Sequence, residues 1–159
     1  MIHEELIEYI AKKNKPIIFS TGMAELEEIK STVKLIERHN KKIIILYCVS
    51  LYPTPTNEIN LNKLKKLQEI FKYPIGFSDH STGNLASTIA MGMGSAVIEK
   101  HFTLDKNMFG PDHKFSCDSN ELKELLNYSK NIPKIFELKV GHDIGTQTPP
   151  FAAMCHRLP

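Results

Sequence analysis

The sequence predicts an α/β chain in which four β/α units build a parallel sheet. Two observations carry that expectation. Four short apolar runs, Ile17-Ile18-Phe19, Ile43-Ile44-Ile45-Leu46-Tyr47-Cys48, residues 74–78 and residues 96–101, alternate with segments whose apolar residues recur at helical spacing. The run at 43–48 is apolar almost throughout, as strands covered on both faces are, whereas a half-solvated antiparallel strand would alternate polar and apolar residues. Four units are too few to close a barrel alone, so the pattern admits an open doubly wound sheet, an eight-stranded barrel, or part of either.

Taken in order, an opening helix is expected over 3–13, with Leu6, Ile7 and Ile10 on one face, ahead of Lys15-Pro16 and the first strand. Ser20-Thr21-Gly22 reads as a loop. Leu26, Ile29, Val33 and Ile36 then mark a second helix, with Glu25, Glu27, Glu28 and Lys30 on its other faces. The strand at 43–48 is followed by a proline-rich loop, Tyr52-Pro53-Thr54-Pro55-Thr56, and a helix carrying Leu61, Leu64, Leu67 and Ile70. A strand at 74–78, a small-residue helix near 84–93 and a strand at 96–101 complete the repeat. The last helix is expected over about 119–132, opened by Asp118, Ser119 or Asn120 as cap, with Leu122, Leu125 and Leu126 inward. Pro133 should kink or end it. Residues 138–159 have turn residues and no periodicity, so a domain over 1–137 and an irregular tail over 138–159 are expected.

The bulk numbers narrow the function classes. At 159 residues, 42% hydrophobic, 24% charged and net +2, the chain reads as one globular domain. Its lysines are scattered over presumed helix surfaces with no aromatic residues interleaved, which argues against nucleic acid as a partner. Cys48, Cys117 and Cys155 are odd in number and widely spaced, which fits a reducing cytoplasm better than a disulfide framework. The acidic start, Met1-Ile2-His3-Glu4-Glu5, leads into no long apolar run, so neither a signal peptide nor a membrane span is expected.

Candidate chemistry gathers at the carboxyl ends of the runs, where parallel α/β proteins place it. His80 and His101 each close an apolar run, and neutral imidazoles on neighbouring strand ends can grip a divalent ion while leaving positions open for substrate and water. Strand alternation puts Ser78 with His80 and Glu99 with His101, while Phe77, Ile98 and Lys100 point the other way; Ser50 and Tyr52 share a parity just past the second strand. Blander readings stand beside these. A histidine at a strand end is commonly a hydrogen-bonded structural residue, Ser20-Thr21-Gly22 reads as a turn and helix cap in preference to a phosphate or carboxylate site, and Gly110-Pro111-Asp112-His113 as a plain turn. Cys48 reads as packing, and His3, His39, His142 and His156 as surface residues.

Five motifs, in order, resemble the second half of the catalytic barrel of the sialic acid synthase family: Phe19-Ser20-Thr21-Gly22-Met23, Cys48-Val49-Ser50-Leu51-Tyr52-Pro53-Thr54-Pro55, Gly76-Phe77-Ser78-Asp79-His80, Val97-Ile98-Glu99-Lys100-His101-Phe102-Thr103-Leu104-Asp105 and Gly110-Pro111-Asp112-His113. The resemblance covers about residues 4–136. It implies a partial (β/α)8 TIM barrel comprising the last four β/α units, and condensation of phosphoenolpyruvate with an N-acetylated hexose of the N-acetylmannosamine type to a nonulosonic acid such as sialic, legionaminic or pseudaminic acid. By the same resemblance His80 and His101 ligate manganese or magnesium. Ser20, Ser50 and Ser78 lie among the phosphoenolpyruvate contacts, Tyr52 and Asp112 meet the acceptor sugar, and Glu99 supports the metal-bound water. Position 50 is Asn in some relatives.

The family's first four β/α units, with their lysines and an acidic residue, and its C-terminal antifreeze-like domain have no counterpart here. The resemblance ends after Phe136, which suggests a truncated or frameshifted reading frame. The chain alone is therefore expected to bind metal weakly and to turn over little, with a second chain supplying the missing barrel half or with self-association covering the sheet edges. A noncatalytic remnant or small metal- or phosphate-binding domain is the alternative. A metal-dependent hydrolase, which wants paired histidines on an early strand and a late-strand aspartate base, is disfavoured.

Overall fold

A computed structural model describes residues 3–136. Four strands, β1 (Ile17–Ser20), β2 (Ile43–Cys48), β3 (Ile75–Asp79) and β4 (Ile98–Lys100), alternate with five helices, α1 (Glu4–Ala11), α2 (Leu26–Glu37), α3 (Asn62–Ile70), α4 (Leu85–Gly92) and α5 (Ser119–Ile135). The strands lie in the order β1-β2-β3-β4, and every neighbouring pair is parallel. Each return to the same end of the sheet passes through a helix, which fixes the repeating architecture.

Alternation assigns the two faces. Ile43, Ile45, Tyr47, Ile75 and Phe77 join Ile29, Val33 and Ile36 of α2, Leu64 and Leu67 of α3 and Ala86 and Ala90 of α4 in one apolar core. The intervening residues, Leu46, Cys48, Gly76, Ser78 and Glu99, face the opposite way. On that face Gly76 leaves no room for a side chain: a Cβ there would lie 2.4 Å from Leu46 Cδ2 and 2.6 Å from the Val97 carbonyl oxygen.

Several expectations shift by a residue or two, and three need correction. The opening helix is shorter than 3–13, the third strand runs one residue later, and β4 is three residues long where 96–101 was expected. Ala96 and Val97 still bond to β3, since Ala96 N–H donates to the Ile75 carbonyl at 2.7 Å and the Val97 carbonyl accepts from Phe77 at 2.8 Å; among the described residues β4 is an edge, paired on one side only. Second, α5 runs two residues past Pro133, because the missing N–H costs only one bond in the final turn. Its cap is Asp118, whose carboxylate accepts from Asn120 and Glu121 N–H while Glu121 returns a bond to Asp118 N–H. Third, Ser20-Thr21-Gly22 caps no helix: Glu25 precedes α2, and its N–H donates to Glu28 Oε2 at 2.9 Å. The boundary at 137 and the tail over 138–159 lie outside the described residues. Among the described residues no helix is long and apolar enough to cross a membrane.

Candidate functional site

The register of β3 against β4 sets the site. Ser78 is level with Glu99, and both side chains leave the helix-free face, so the Ser78 hydroxyl donates to Glu99 Oε1 at 2.8 Å. One pleat further along each chain stand His80 and His101, whose rings meet edge to face with centroids 5.3 Å apart. Tyr52 lies 4.2 Å from the His80 ring and 5.8 Å from that of His101. The loop after β4 folds back on itself, with Cys117 N–H donating to the His101 carbonyl at 2.7 Å and Thr103 N–H to the Cys117 carbonyl at 2.9 Å. That fold delivers Phe115 to 5.2 Å from His101 and Asp112 Oδ2 to 3.7 Å from His101 Nδ1.

His80 is buried and its orientation is fixed. Nδ1 lies 2.9 Å from the Val49 carbonyl oxygen, which can only accept, so the hydrogen bond assigns the proton to Nδ1 and leaves the Nε2 lone pair free. The same carbonyl-held arrangement of the second nitrogen is what metal-ligating histidines use. Nε2 lies 3.5 Å from Ser78 Oγ. Cys48 Sγ approaches His80 Nδ1 at 3.9 Å and Ser50 Oγ at 4.0 Å. Burial pushes the Cys48 thiol up, which suits a packing residue better than a nucleophile. Burial, followed by the charges of Cys48, Asp112 and Glu99, also raises the Tyr52 phenol, keeping it a neutral hydroxyl that can donate.

Of the residues singled out in the sequence, Ser78, His80, Glu99, His101, Tyr52 and Asp112 meet at one rim, and Ser50 joins them through Cys48. Ser20 stands apart. Register sets it level with Leu46, two residues before the Cys48–Ser78 level, on the edge strand and exposed. The loop it opens does reach the rim: Thr21 is tied to the Leu46 carbonyl through both N–H and Oγ1, and a Cβ on Gly22 would lie 2.3 Å from Ser50 Oγ. Asp112 is not in a plain turn remote from the rim, and His113 bonds to Thr103 Oγ1 at 2.7 Å. Phe115 was not legible in the sequence, because a lone aromatic in a turn-rich loop carries no periodicity. His39 lies 3.3 Å from Glu8 on the surface, as read; His142 and His156 lie outside the described residues.

The donor set fits a divalent ion bound by two imidazoles, with the other positions left to substrate, water or groups from elsewhere. Among the described residues no group of three or more His, Cys, Asp or Glu side chains is assembled as a metal cage. Apart from this rim, a cavity of about 650 Å³ opens beside β1, lined by Leu6, Ile7 and Ile10 of α1 and by Ile17, Ile18 and Phe19. It is the mainly apolar flank of an edge strand; Ser20 lines it, but the two histidines, Tyr52, Ser78, Glu99 and Asp112 do not.

A parallel sheet with its helices on one face and its polar groups at the strand carboxyl ends defines half of a (β/α)8 barrel. The fold matches the crystal structure of the N-acetylneuraminic acid (sialic acid) synthetase of Leptospira borgpetersenii with a TM-score of 0.81 and 33% identity, covering 90% of this chain and 49% of that one. The chain belongs to the NeuB family, whose profile matches residues 1–140. It is 48% identical over 128 residues to the N,N'-diacetyllegionaminic acid synthase of Campylobacter jejuni, covering 79% of this chain and 38% of that protein. It is 49% identical over 131 residues to the uncharacterized protein MJ1065 of Methanocaldococcus jannaschii, covering 82% and 39%. The chain thus spans less than two fifths of the length of these curated relatives.

Proposed function

We propose that residues 3–136 carry one half of the catalytic rim of a nonulosonic acid synthase, a cytoplasmic enzyme that condenses phosphoenolpyruvate with an N-acetylated hexose and releases phosphate. The observation that carries this reading is the facing pair His80 and His101, 5.3 Å apart, with Tyr52 and the Ser78–Glu99 pair on the same rim. The activity named for the legionaminic and pseudaminic acid synthases is that of proteins more than twice as long, so the other half of the rim comes from another stretch of polypeptide.

His80 Nε2 and the His101 ring would hold manganese or magnesium, which when bound supplies Lewis acidity to the aldehyde oxygen of the open-chain sugar. The chain's own groups position the rest. Hydroxyls of Ser78 and Ser50 orient phosphoenolpyruvate, but hydroxyls cannot neutralise a phosphate dianion, which calls for Lys or Arg from the other half. The neutral phenol of Tyr52 and the exposed carboxylate of Asp112 meet the hydroxyls of the acceptor. The enol carbon attacks the aldehyde, forming the carbon–carbon bond as the aldehyde π bond breaks and its oxygen takes up a proton to become a hydroxyl, a proton that the water added next gives back through Glu99. Glu99, already an acceptor for Ser78, takes the proton from the water that adds at the resulting cation before phosphate leaves.

The test is co-expression of this chain with a complementary barrel half, assaying phosphate release from phosphoenolpyruvate with a series of N-acetylated hexoses. Release that needs both polypeptides, a divalent ion and the sugar is expected, with none from the 159-residue chain alone. Condensation by the chain alone overturns the half-rim reading, and no release from the complemented pair with any sugar overturns the synthase. The count of donors favours one second reading: with no third ligand among the described residues, a noncatalytic metal-binding domain would take up the ion yet stay silent in the same assay.

A further inference from the structure

Directly beneath the two imidazoles, on the opposite face of the same strands, lies a second pair in register. Asp79 and Lys100 are partners across β3 and β4, each the residue immediately preceding a histidine. Lys100 Nζ lies 3.0 Å from Asp79 Oδ2, with side chains 6% and 0% exposed. Both carboxylate oxygens of the cluster accept two hydrogen bonds each, and the ammonium makes two. Asp79 Oδ1 accepts from Ser81 N–H at 2.8 Å and Ser81 Oγ at 2.6 Å, Oδ2 accepts from Ser87 Oγ of α4 at 2.5 Å, and Lys100 also donates to the Ser81 carbonyl at 2.6 Å.

The cluster grips the chain on both sides of His80 and links it to the residue before His101. An ion pair this deep has no net stability to offer over a well-packed apolar pair, because desolvating the two charges offsets their attraction. Fixing geometry is the role that its dense hydrogen bonding, with both Asp79 oxygens doubly bonded, suits. We infer that Asp79 and Lys100, with Ser81 and Ser87, are positioning residues that set the spacing and orientation of the His80 and His101 rings. They act through the backbone and touch neither ion nor substrate. This inference rests on the proposed metal role of the two rings.

The experiment titrates Mn2+ into the full chain, following free Mn2+ by electron paramagnetic resonance, and records the His80 tautomer in the metal-free protein by long-range 1H–15N correlation. Lys100→Met should weaken binding on the order of tenfold, as loss of an outer-shell partner does. It should also convert His80 from a single Nδ1–H form to a mixture. Ile36→Ala, in the core away from the rim, should cost stability and leave both readouts unchanged. Affinity within about twofold of wild type with an unchanged tautomer overturns the inference, as does an equal loss in Ile36→Ala. If Lys100→Met fails to fold, Ser87→Ala, which removes one bond to Asp79, should weaken binding about threefold; no change overturns it. Should the wild type bind no Mn2+, the metal reading falls, and the tautomer measurement alone decides the positioning claim.

Discussion

The middle strands and the edge strands of this sheet are alike in composition and unlike in surroundings. All five residues of β3 are buried, and all but one of β2, whereas Ile18 in β1 is 52% exposed and no residue of β4 is fully covered. Ile17-Ile18-Phe19 and Ile43-Ile44-Ile45 are equally apolar. What separates them is a neighbour: among the described residues β2 and β3 are flanked on both sides, and β1 and β4 on one. The difference teaches where the site's rigidity originates. His80 follows a middle strand and is 7% exposed, while His101 follows an edge strand and is half-buried, so the pair straddles a firm centre and an open margin.

The largest expected effect comes from the centre. Phe77→Ala empties a site that is 2% exposed and stacks on Tyr47, and should cost about 3–5 kcal/mol in chemical denaturation. Ile18→Ala on β1 should cost less than about 1 kcal/mol; equal costs would break the comparison. The two histidines sharpen it. Either His80→Ala or His101→Ala should abolish measurable Mn2+ uptake. Only His80→Ala should also lose about 1–3 kcal/mol of stability, because it strands the Val49 carbonyl. Next, the open margin predicts association: the chain should elute above its monomer mass at high concentration, and Ile18→Lys should shift it toward monomer. A monodisperse wild-type monomer would remove the edge from consideration.

The smallest effect tests how β3 is anchored at its start. The Tyr73 hydroxyl, two residues before β3, donates to Glu37 at the end of α2 at 2.6 Å. That bond, with help from Lys72, holds the Glu37 carboxyl below its ordinary 4.5, and partial burial followed by Glu37 pushes the Tyr73 phenol up to about 12. The lowered carboxyl contributes stability above pH 4.5 that is lost as pH falls; the raised phenol contributes stability below pH 10 that is lost as pH rises toward about 12. Tyr73→Phe should therefore lower the unfolding free energy from chemical denaturation by less than about 1 kcal/mol at neutral pH, with the gap to wild type closing at both extremes.

The fold was legible where neighbours on both sides enforce the pattern. The apolar run at 43–48 matches β2 residue for residue, and the cap of α5 was narrowed to Asp118, Ser119 or Asn120, of which the structure selects Asp118. Strand parity also placed Ser78, His80, Glu99 and His101 correctly, since alternation survives to the strand ends. What depended on tertiary contact was not legible. The length of β4 follows from its single partner, Phe115 arrives through a loop folded back by bonds from Cys117 and Thr103, and Ser20 is set low by the register of β1 on β2. The sequence reading sent Lys100 to the far face, but its pairing with Asp79 needed the register of β3 on β4.

The missing side chain at Gly76 bears on any attempt to retune the site. Leu46 and Val97 lean across that position and form the floor below Ser78, so even a methyl group would have to displace backbone. A randomised library aimed at new acceptors should hold 76 fixed and diversify 52 and 112, whose outward side chains can change without lifting the floor.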